Sequence, residues 1–412
     1  MENATKNLLD IDIEKEDIRS QVHHVKFHGD NTEYFFIWIV NVLLTILTLG
    51  IYSAWATVRT RRYFLGNTEV NGSRLEYHAS PVRILVSRLI IFFFFALYLA
   101  VNYLFQPIAY VILSLFFLML PYFIIRSCRF HAIMTSYRNV RFNFLGSYKK
   151  GYWYFFILPL LLLLGAIAFS FLVGQVIGLI AIFSSANTNE HINLSRYFIG
   201  TYATLLLIAI SLYAIFAIRT KQLYEYFANN FYFGKSAFKL KMNYRAVAKI
   251  YSIAFLILVP FIILSGFSII SMIKTVIIHE SNFSELEPPV FLFLFIYLYL
   301  YVGFFFSYSY IHIMMRREFF NKLEFSNELK FSSSITYFSY LILLFSNSLI
   351  IIFTLGLATP IAQIRHARYF AMNTKITGDM SLENELAHDE THSNSFHDET
   401  LDSFDFGLSL WT

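Results

Sequence analysis

Long apolar segments, separated by shorter polar ones, dominate the pattern of this sequence. A helix needs about 20 apolar residues to cross a hydrocarbon core of about 30 Å. Eight segments approach or exceed this length and contain few charged residues. They are 34–58, 84–105, 107–127, 153–183, 197–218, 249–278, 289–315 and 335–364. The pattern predicts an all-α polytopic membrane protein with about six full transmembrane helices and two terminal segments of a different kind.

The charges of the connecting segments predict their side of the membrane. Lysine and arginine are concentrated in 59–88, 126–150, 219–249 and 316–330. Basic loops of this kind are typical of the cytoplasmic side. The remaining loops carry few or no bases; they are 103–107, 184–196 and 279–289. The six middle segments are therefore predicted to form three hairpins whose ends are cytoplasmic.

The first and last apolar segments leave two alternatives open. Each is followed by arginine residues that favour a cytoplasmic end, so 34–58 and 335–364 could be re-entrant helical pairs broken at Gly50 and Gly356. Broken backbone at membrane depth is tolerated only where protein buries it. The alternative is two ordinary tilted spans with external termini.

Two asparagines lie within the apolar sequence of these terminal segments. Asn41 and Asn347 are candidate intramembrane polar positions. They could line a path, form hydrogen bonds between helices, or cap the break of a re-entrant pair.

An internal repeat relates the two ends of the chain. A shift of 306 residues aligns 34–72 with 340–378 without a gap, and fifteen of the 39 positions match. Many of the matches are polar, so shared hydrophobicity does not explain them, and we interpret the repeat as a duplication. Asn67 and Asn373 match and are predicted to cap the helices at the junctions, Asn67 in a left-handed conformation. Weaker echoes extend the pattern to five units, each a membrane hairpin followed by a cytoplasmic junction.

Small cytoplasmic β-hairpins are predicted at these junctions. Asn71-Gly72 lies between alternating residues, and Asn-Gly is a strong hairpin signal. Thr377-Gly378 repeats the signal more weakly, and Val22–His28 is a further candidate strand.

Four duplicated arginines form the main candidate site. Arg59 and Arg62 lie three residues apart on one helix face, and Arg365 and Arg368 repeat the spacing. At the cytoplasmic end of a helix they meet the negative end of the helix dipole and the phosphate layer. Our hypothesis is a pseudo-symmetric pair of sites for an anionic headgroup or solute. The alternative is that they only anchor the helices by charge.

These residues also carry a resemblance to a known family. Phe27-His28-Gly29, the run from Thr48 to Ala56, Arg62-Tyr63-Phe64 and Asn67-Thr68 resemble the YjgN-like family of bacterial inner-membrane proteins over roughly 22–378. The second copy departs from the first at Ile361, which replaces Trp55. The resemblance implies a multi-pass protein of the bacterial inner membrane. The family is a domain of unknown function, so no active site is carried over.

Composition excludes several classes of protein. Hydrophobic residues make up 57% and charged residues only 14%, whereas an average soluble domain is about 25% charged. An ordinary cytosolic enzyme is therefore excluded. Cys128 is the single cysteine, so no disulfide within the chain and no thiolate metal cluster are expected. No catalytic, cofactor-binding or metal-binding motif is present, so we expect neither an enzyme nor a cofactor.

The charge is divided unevenly along the chain. Residues 1–20 carry a net charge of −3, residues 21–378 carry +17 and residues 379–412 carry −9. The basic part is the membrane body, so anionic lipids rather than nucleic acid are the expected partners. We predict a polar tail at 1–21, an integral membrane domain at 22–378 and an acidic, disordered tail at 379–412. No apolar run lies within 1–33, so no cleavable signal peptide is expected.

Two functions follow from this architecture. The first is a transporter or channel for a small molecule or a lipid. The alternative is a structural or adaptor membrane protein that recruits partners through its cytoplasmic face. A cavity between the two copies of the repeat would favour the first, and a phenylalanine-packed interior would favour the second.

The predicted orientation can be tested by cysteine accessibility. Cysteines placed at Ser73 and Ser236 are expected to react with an impermeant thiol reagent only from the cytoplasmic side. Cysteines at Ser184 and Ser281 are expected to react only from the periplasm, because their loops carry few or no basic residues, which are retained inside. Labelling of Ser73→Cys from the periplasm would overturn the orientation.

Overall fold

The computed structural model describes residues 21–186, 194–278, 290–326 and 329–380. These residues divide into two compact units. The barrel unit comprises the chain up to Phe156, Leu223–Lys241 and the chain from Arg317 onward. The second unit comprises Ile157–Gln222 and Met242–Arg316.

Several predicted segments lie largely outside the described residues. The polar tail 1–21 is described only at Gln21, and the acidic tail 379–412 only at Asp379 and Met380. Much of the predicted external loops 184–196 and 279–289 also lies outside them. The predictions for these segments remain predictions.

Helices account for most of the described residues. They are α1 Asn31–Leu47, α2 Ser53–Gly66, α3 Pro81–Leu104, α4 Gln106–Ile133, α5 Tyr148–Tyr152, α6 Leu158–Ala186, α7 Leu194–Asn229, α8 Tyr244–Ile278, α9 Val290–Lys322, α10 Tyr337–Phe353 and α11 Thr359–Met372. One π-helical turn, Trp153–Ile157, joins α5 to α6.

Among the residues that the structure describes, six helical segments are long and apolar enough to cross a membrane. They are Pro81–Leu104, Gln106–Ile133, Tyr148–Ile177, Leu207–Asn229, Tyr244–Ser268 and Leu294–Lys322. Their apolar side chains are widely exposed on the protein surface, as expected for helices whose surroundings are hydrocarbon. Two further apolar helices, α1 and α10, are shorter.

The prediction of an all-α fold was wrong, because the short strands join into a closed barrel. The strands are β1 Val22–Phe27, β2 Thr68–Val70, β3 Ser73–Tyr77, β4 Thr135–Tyr137, β5 Val140–Phe144, β6 Phe231–Phe233, β7 Ser236–Leu240, β8 Leu323–Phe325, β9 Leu329–Ser333 and β10 Thr374–Thr377. All neighbouring pairs are antiparallel, and β1 pairs with β10 to close the ring, Val22 lying opposite Thr377. Strands of three to six residues are too short for their alternating pattern to reveal such a ring. In addition, each strand pairs with one neighbour from which a whole helical hairpin separates it in the sequence.

Five consecutive repeats build this barrel. Each consists of a strand, a helical hairpin and a second strand, beginning with β1-α1-α2-β2 and ending with β9-α10-α11-β10. The two strands of a repeat pair with each other, and tight turns pair the last strand of one repeat with the first of the next. Because these pairings are antiparallel, every helical hairpin leaves from and returns to the same end of the barrel.

Tight turns close the opposite end of the barrel. Between β2 and β3, Asn71 and Gly72 have φ angles of +45° and +76°; between β4 and β5, Arg138 and Asn139 have φ angles of +49° and +65°. Two consecutive positive φ values define the turn type whose twist matches that of paired strands. Asparagine and glycine adopt these angles readily, so Asn71-Gly72 is a local cause of the first turn.

Apolar side chains fill the interior of the barrel. The buried members are Tyr137, Val140, Phe233, Phe325, Leu329, Ile376 and Met380. The rings of Phe238 and Phe325 lie 4.8 Å apart, and those of Phe233 and Phe325 lie 6.0 Å apart. The barrel interior is therefore a packed hydrophobic core.

Hydroxyl groups connect the helices of the second unit. The hydroxyls of Tyr213 in α7 and Ser307 in α9 lie 2.7 Å apart, and Ser307 donates to the carbonyl of Ala254 in α8 at 2.9 Å. The hydroxyls of Thr220 and Tyr251 lie 2.7 Å apart. Such bonds are a common connection between membrane helices, where hydrophobicity alone does not hold one helix to another.

The barrel core makes a direct prediction for stability. Phe233→Ala should lower the free energy of unfolding in detergent by about 3–5 kcal/mol, because it leaves a cavity among packed rings. Arg74→Ala, on an exposed outer position of β3, is the control and should change it by less than about 0.5 kcal/mol. Equal thermal unfolding of the two variants would show that the barrel interior is not a packed core.

Candidate functional site: two short helical hairpins

All candidate site residues from the sequence lie in two short helical hairpins and the junctions that follow them. The hairpin α1–α2 belongs to repeat one and α10–α11 to repeat five. The duplicated segments 34–72 and 340–378 comprise these hairpins and the strands that follow. Since the ring closes between β1 and β10, the two duplicated copies are neighbours in the structure.

Each short hairpin turns at the duplicated Thr-Leu-Gly sequence. Leu49 and Gly50 have φ angles of +50° and +93°, and Leu355 and Gly356 have φ angles of +51° and +92°. Glycine adopts such angles at little cost, whereas a leucine there is strained by about 1 kcal/mol. The candidate break positions Gly50 and Gly356 therefore lie where the chain reverses.

The threonine before each break joins the two helices of its hairpin. The Thr48 hydroxyl donates to the carbonyl of Leu44 at 2.7 Å and accepts from the backbone N–H of Tyr52 at 2.9 Å. Thr354 makes the equivalent two bonds at 2.7 and 3.0 Å. A single side chain thus satisfies backbone groups that both helix ends leave open.

The two short hairpins are shallower than the neighbouring one. A helix rises about 1.5 Å per residue, so the 17-residue α1 and α10 are about 26 Å long and the 14-residue α2 and α11 about 21 Å. The 24-residue α3 and 28-residue α4 reach about 36 and 42 Å. Leucines occupy the tips, where Leu49 is 95% exposed and Leu355 is 93% exposed.

Polar and aromatic contacts hold the two short hairpins together. The Tyr34 hydroxyl of α1 donates to Gln363 Oε1 of α11 at 2.7 Å. Tyr34, Tyr63 and Ile364 form a buried cluster, in which the rings of Tyr34 and Tyr63 stack at 5.1 Å. The sequence did not predict the contact between Tyr34 and Gln363, because 329 residues separate them.

The start of α1 is fixed by a carboxylate and a tyrosine. Asp30 caps the helix by accepting from the N–H groups of Thr32 and Glu33, and these bonds lower the pKa of its carboxyl. The Tyr63 hydroxyl donates to the Asp30 carbonyl at 3.0 Å. Burial raises the pKa of Tyr63 to about 12, so this hydroxyl stays protonated and donates at neutral pH.

Two of the four candidate arginines tie one repeat to the next. Arg62 Nε donates to the carbonyl of Tyr77 at 3.4 Å, and Arg368 donates to the carbonyl of Gly29 at 3.0 Å. The first bond joins repeats one and two, and the second joins repeats five and one. Arg62 and Arg368 therefore serve two separate junctions and do not converge on one site.

Repeat two contains a third arginine of the same kind. Arg129 precedes the end of α4 as Arg62 precedes the end of α2, and its Nε donates to the carbonyl of Phe144 at 3.2 Å. The sequence places Arg129 in a basic loop but does not identify this bond. An arginine-to-carbonyl contact therefore recurs at three of the five junctions between repeats.

The other two candidate arginines differ from each other. Arg365 in α11 donates to the Ser346 hydroxyl of α10 at 2.9 Å, whereas Arg59 is exposed. Position 40, which corresponds to Ser346 in the first copy, is Val40 and offers no acceptor. Arg59 and Arg365 therefore do not form matched contacts.

Arg88, one of the bases of the segment 59–88, is a further functional candidate whose contacts were not predicted from the sequence. It lies in the second turn of α3 and donates to the hydroxyls of Ser53 at 2.6 Å and Thr57 at 2.9 Å, both in α2. Two hydroxyls of the short hairpin α1–α2 therefore bind the guanidinium group of Arg88. In the hairpin α10–α11, one hydroxyl binds the guanidinium group of Arg365. Its position seven residues after Pro81, the first residue of α3, is the sequence signal that could have identified it.

Asn41 and Asn347, the candidate intramembrane polar positions, are both buried. Asn347 donates to the carbonyl of Ala362 at 3.3 Å, which links α10 to α11. Both polar side-chain atoms of Asn41 are buried without a hydrogen-bond partner. A buried amide without partners costs free energy, so Asn41 is a polar position that packing alone does not explain.

The junction asparagines lie at the ends of α2 and α11. Asn67 donates through Nδ2 to the carbonyl of Tyr63 at 3.0 Å, and Asn373 donates to that of Tyr369 at 2.8 Å. Their φ angles are −99° and −98°, so the left-handed conformation expected for Asn67 is not adopted. The chain enters a strand directly here, and extended backbone follows without the reversal that a left-handed residue would impose.

A comparison with protein families covers nearly the whole described structure. The model of a family described as "Bacterial protein of unknown function (DUF898)" matches residues 22–403. The chain belongs to this family. The match takes in all ten strands and all helical hairpins described above, so the family model spans the barrel together with the membrane helices.

Curated relatives of this family member are named inner membrane proteins. The chain is 40% identical to the inner membrane protein YjgN of Escherichia coli K12 over 144 residues, 35% of this chain and 36% of the relative. It is 34% identical to YjgN of Escherichia coli O157:H7 over 239 residues, 57% and 56% of the two chains. For YjgN of Salmonella typhimurium the identity is 32% over 155 residues, 37% and 39%.

These matches confirm the YjgN-like resemblance. The chain spans between about a third and just over half of the length of the relatives. No solved structure matches the chain. Within the described ranges, no group of three or more His, Cys, Asp or Glu side chains is placed to hold a metal ion.

The arginine ties between repeats predict a specific loss of stability. The double substitution of Arg62→Lys and Arg368→Lys should lower the unfolding temperature in detergent, because lysine keeps the charge but lacks the planar fork that reaches a carbonyl. We expect about 1 kcal/mol for each bond. Arg59→Lys, an exposed position one turn away, is the matched control and should have little effect. An equal shift in both variants would assign Arg62 and Arg368 to charge anchoring alone.

Proposed function

We propose that this protein is an inner-membrane transporter whose substrate is a lipid. The observation that carries the proposal is the shallow pair of helical hairpins, α1–α2 and α10–α11, beside the long hairpin α3–α4. The family and the names of the relatives support the membrane location but say nothing about transport.

The depth of the short hairpins is the first argument. Both ends of each hairpin join strands at one end of the barrel, and none of the four helices is as long as the hydrocarbon core of about 30 Å. Such hairpins favour the re-entrant alternative, with leucine tips that end among acyl chains. A bilayer thins around apolar segments that are too short for it. A thinner region lowers the barrier for a headgroup that passes between leaflets.

The polar contacts at these hairpins are the second argument. Arg88 with Ser53 and Thr57, and Arg365 with Ser346, place two guanidinium groups on helices that border lipid. Ionisable groups inside membrane segments commonly mark a functional path. Guanidinium is also the group best suited to phosphate, through two parallel hydrogen bonds.

The packed barrel argues against a water-filled channel along the barrel axis. Aromatic side chains such as Phe233 and Phe325 occupy its interior, and a solute would have to displace them. A route along the short hairpins, at the lipid surface, requires no such displacement. For this reason the proposal names a lipid and not a small polar solute.

The test is lipid movement in vesicles that contain the purified protein. A fluorescent phospholipid in the outer leaflet is bleached by dithionite, so bleaching beyond half of the label reports transfer from the inner leaflet. We expect the protein to increase this fraction. The pair of substitutions Arg88→Met and Arg365→Met should slow transfer about tenfold, since each lost charged hydrogen bond costs about 1 kcal/mol or more.

Arg74→Met, the same chemical change on the outside of the barrel, is the control and should transfer lipid at the parent rate. Vesicles in which the parent protein bleaches no more label than protein-free vesicles would refute lipid transport. An equal loss in both variants would remove the role of Arg88 and Arg365.

The adaptor function remains the second candidate because one observation favours it. The interior of the barrel is packed with phenylalanine and other apolar side chains, and its outer face offers charged side chains on four adjoining strand hairpins. A protein of this kind would leave lipid transfer at the protein-free rate while a stable complex survives purification in detergent.

A further inference from the structure

The second unit contains an arginine inside one of its apolar helices. Arg219 belongs to Leu207–Asn229, one of the segments that are long and apolar enough to span a membrane. Ionisable side chains within such segments are costly, and they commonly mark a functional site. The Arg219 Nε atom is buried and has no hydrogen-bond partner. Because an unpaired buried donor is unfavourable, Arg219 calls for an explanation other than packing.

The helix that carries Arg219 provides no carboxylate beside it. Side chains three and four residues apart are neighbours on a helix surface. The neighbours of Arg219 in this sense are Ile215, Phe216, Gln222 and Leu223. The described segments of the second unit, which are 157–186, 194–222, 242–278 and 290–316, contain no aspartate or glutamate. Within these segments, therefore, no acidic side chain balances the charge of Arg219.

The side chains around Arg219 are hydroxyl and amide groups. Tyr251 of α8 interacts electrostatically with the guanidinium group, and its hydroxyl lies 2.7 Å from that of Thr220. A tyrosine hydroxyl is neutral at pH 7 and does not balance the charge. Gln222 donates to the Tyr244 hydroxyl at 3.4 Å, while its Oε1 atom is buried without a hydrogen-bond partner. Since Arg219 and Gln222 are three residues apart, one face of α7 carries a buried donor and a buried acceptor that both lack partners.

This face of α7 is accessible from the bilayer. Phe216, one turn before Arg219, is 49% exposed, and along its apolar length a spanning helix is surrounded by hydrocarbon. Arg219 is also the first base of the predicted cytoplasmic segment 219–249. A base at the end of a span lies at the depth of the lipid phosphates. A headgroup in the adjacent leaflet is therefore within reach of the guanidinium group.

We propose that Arg219 binds the phosphate group of an anionic ligand at this end of the second unit. A guanidinium group binds phosphate through two parallel charged hydrogen bonds. A phosphate oxygen gives the buried Nε atom its missing acceptor, and a hydroxyl group beside the phosphate gives Gln222 Oε1 its missing donor. The ligand is therefore a phosphate ester that also carries a hydroxyl group, either in a lipid headgroup or as a free polyol phosphate.

This proposal does not rest on the proposed lipid transport. The site lies in the second unit, and Arg88 and Arg365 take no part in it. Binding is measured in detergent, where no transfer between leaflets occurs, so the two proposals succeed or fail separately.

Lipid binding to the purified protein tests the lipid source. Native mass spectrometry counts the lipids that stay bound, and a titration with phosphatidylglycerol gives the dissociation constant. We expect tighter binding of phosphatidylglycerol than of phosphatidylcholine, whose headgroup has neither a net charge nor a hydroxyl group. Arg219→Gln should weaken the binding of phosphatidylglycerol about tenfold, because it removes charged hydrogen bonds to the phosphate.

Arg245→Gln is the matched control. Arg245 lies in the first turn of α8 in the same unit and is exposed, so its substitution removes the same charge and should change the dissociation constant less than twofold. Arg219→Lys keeps the charge but lacks the planar fork, and it should also bind more weakly than the parent protein. If Arg219→Gln does not fold, Arg219→Lys is compared with Arg245→Lys in the same titration.

Glycerol 3-phosphate tests the soluble source. If the free ester raises the unfolding temperature of the parent protein but not that of Arg219→Gln, the site takes a soluble phosphate ester. Binding of phosphatidylglycerol without such a shift assigns the site to a lipid headgroup. Both results support a phosphate site at Arg219.

Two results would overturn the proposal. Equal loss of phosphatidylglycerol affinity in Arg219→Gln and Arg245→Gln would reduce the effect to overall charge. Parent-like behaviour of the folded Arg219→Gln protein with both ligands would leave Arg219 without a role in binding phosphate.

Discussion

Closure of the strand ring is the constraint on which the rest of this structure depends. Each strand is three to six residues long and could not persist alone, since isolated short hairpins are marginal in water. In the ring every strand has two partners and an apolar inner face, so no edge is left open. Pairing within each repeat brings the two strands that flank a helical hairpin side by side, so the hairpin begins and ends at neighbouring strands.

Much of this architecture was predictable from local sequence signals. Apolar length identified the long helices, and the matching of 34–72 with 340–378 identified the repeat. Asn71-Gly72 indicated a turn because its φ values require such residues. The barrel was not predictable, because the pairing of Val22 with Thr377 is decided by the whole topology and leaves no local pattern.

The candidate site likewise combines positions that could be recognised from the sequence with contacts that could not. Gly50 and Gly356 were recognisable because a reversal of the chain needs glycine, and Asn67 and Asn373 because they end helices before a strand. The contacts of the arginines were not recognisable, since Arg62 and Arg368 reach carbonyls in other repeats. The duplication also suggested matched contacts for Arg59 and Arg365 that the structure does not have. Arg59 and Arg365 match in sequence, but only Arg365 has a serine within reach, because position 40 is valine.

The seam between β1 and β10 has a consequence for biogenesis. About 350 residues separate Val22 from Thr377, and at roughly 5–20 residues per second the ribosome needs about 20 to 70 seconds to make them. During this time the outer edge of β1 is an unpaired strand edge, which invites pairing with another chain. Its length is six residues, and histidines and a lysine interrupt its apolar character. Such an edge is a poor template for aggregation, so β1 can remain without its second partner until β10 has been synthesised.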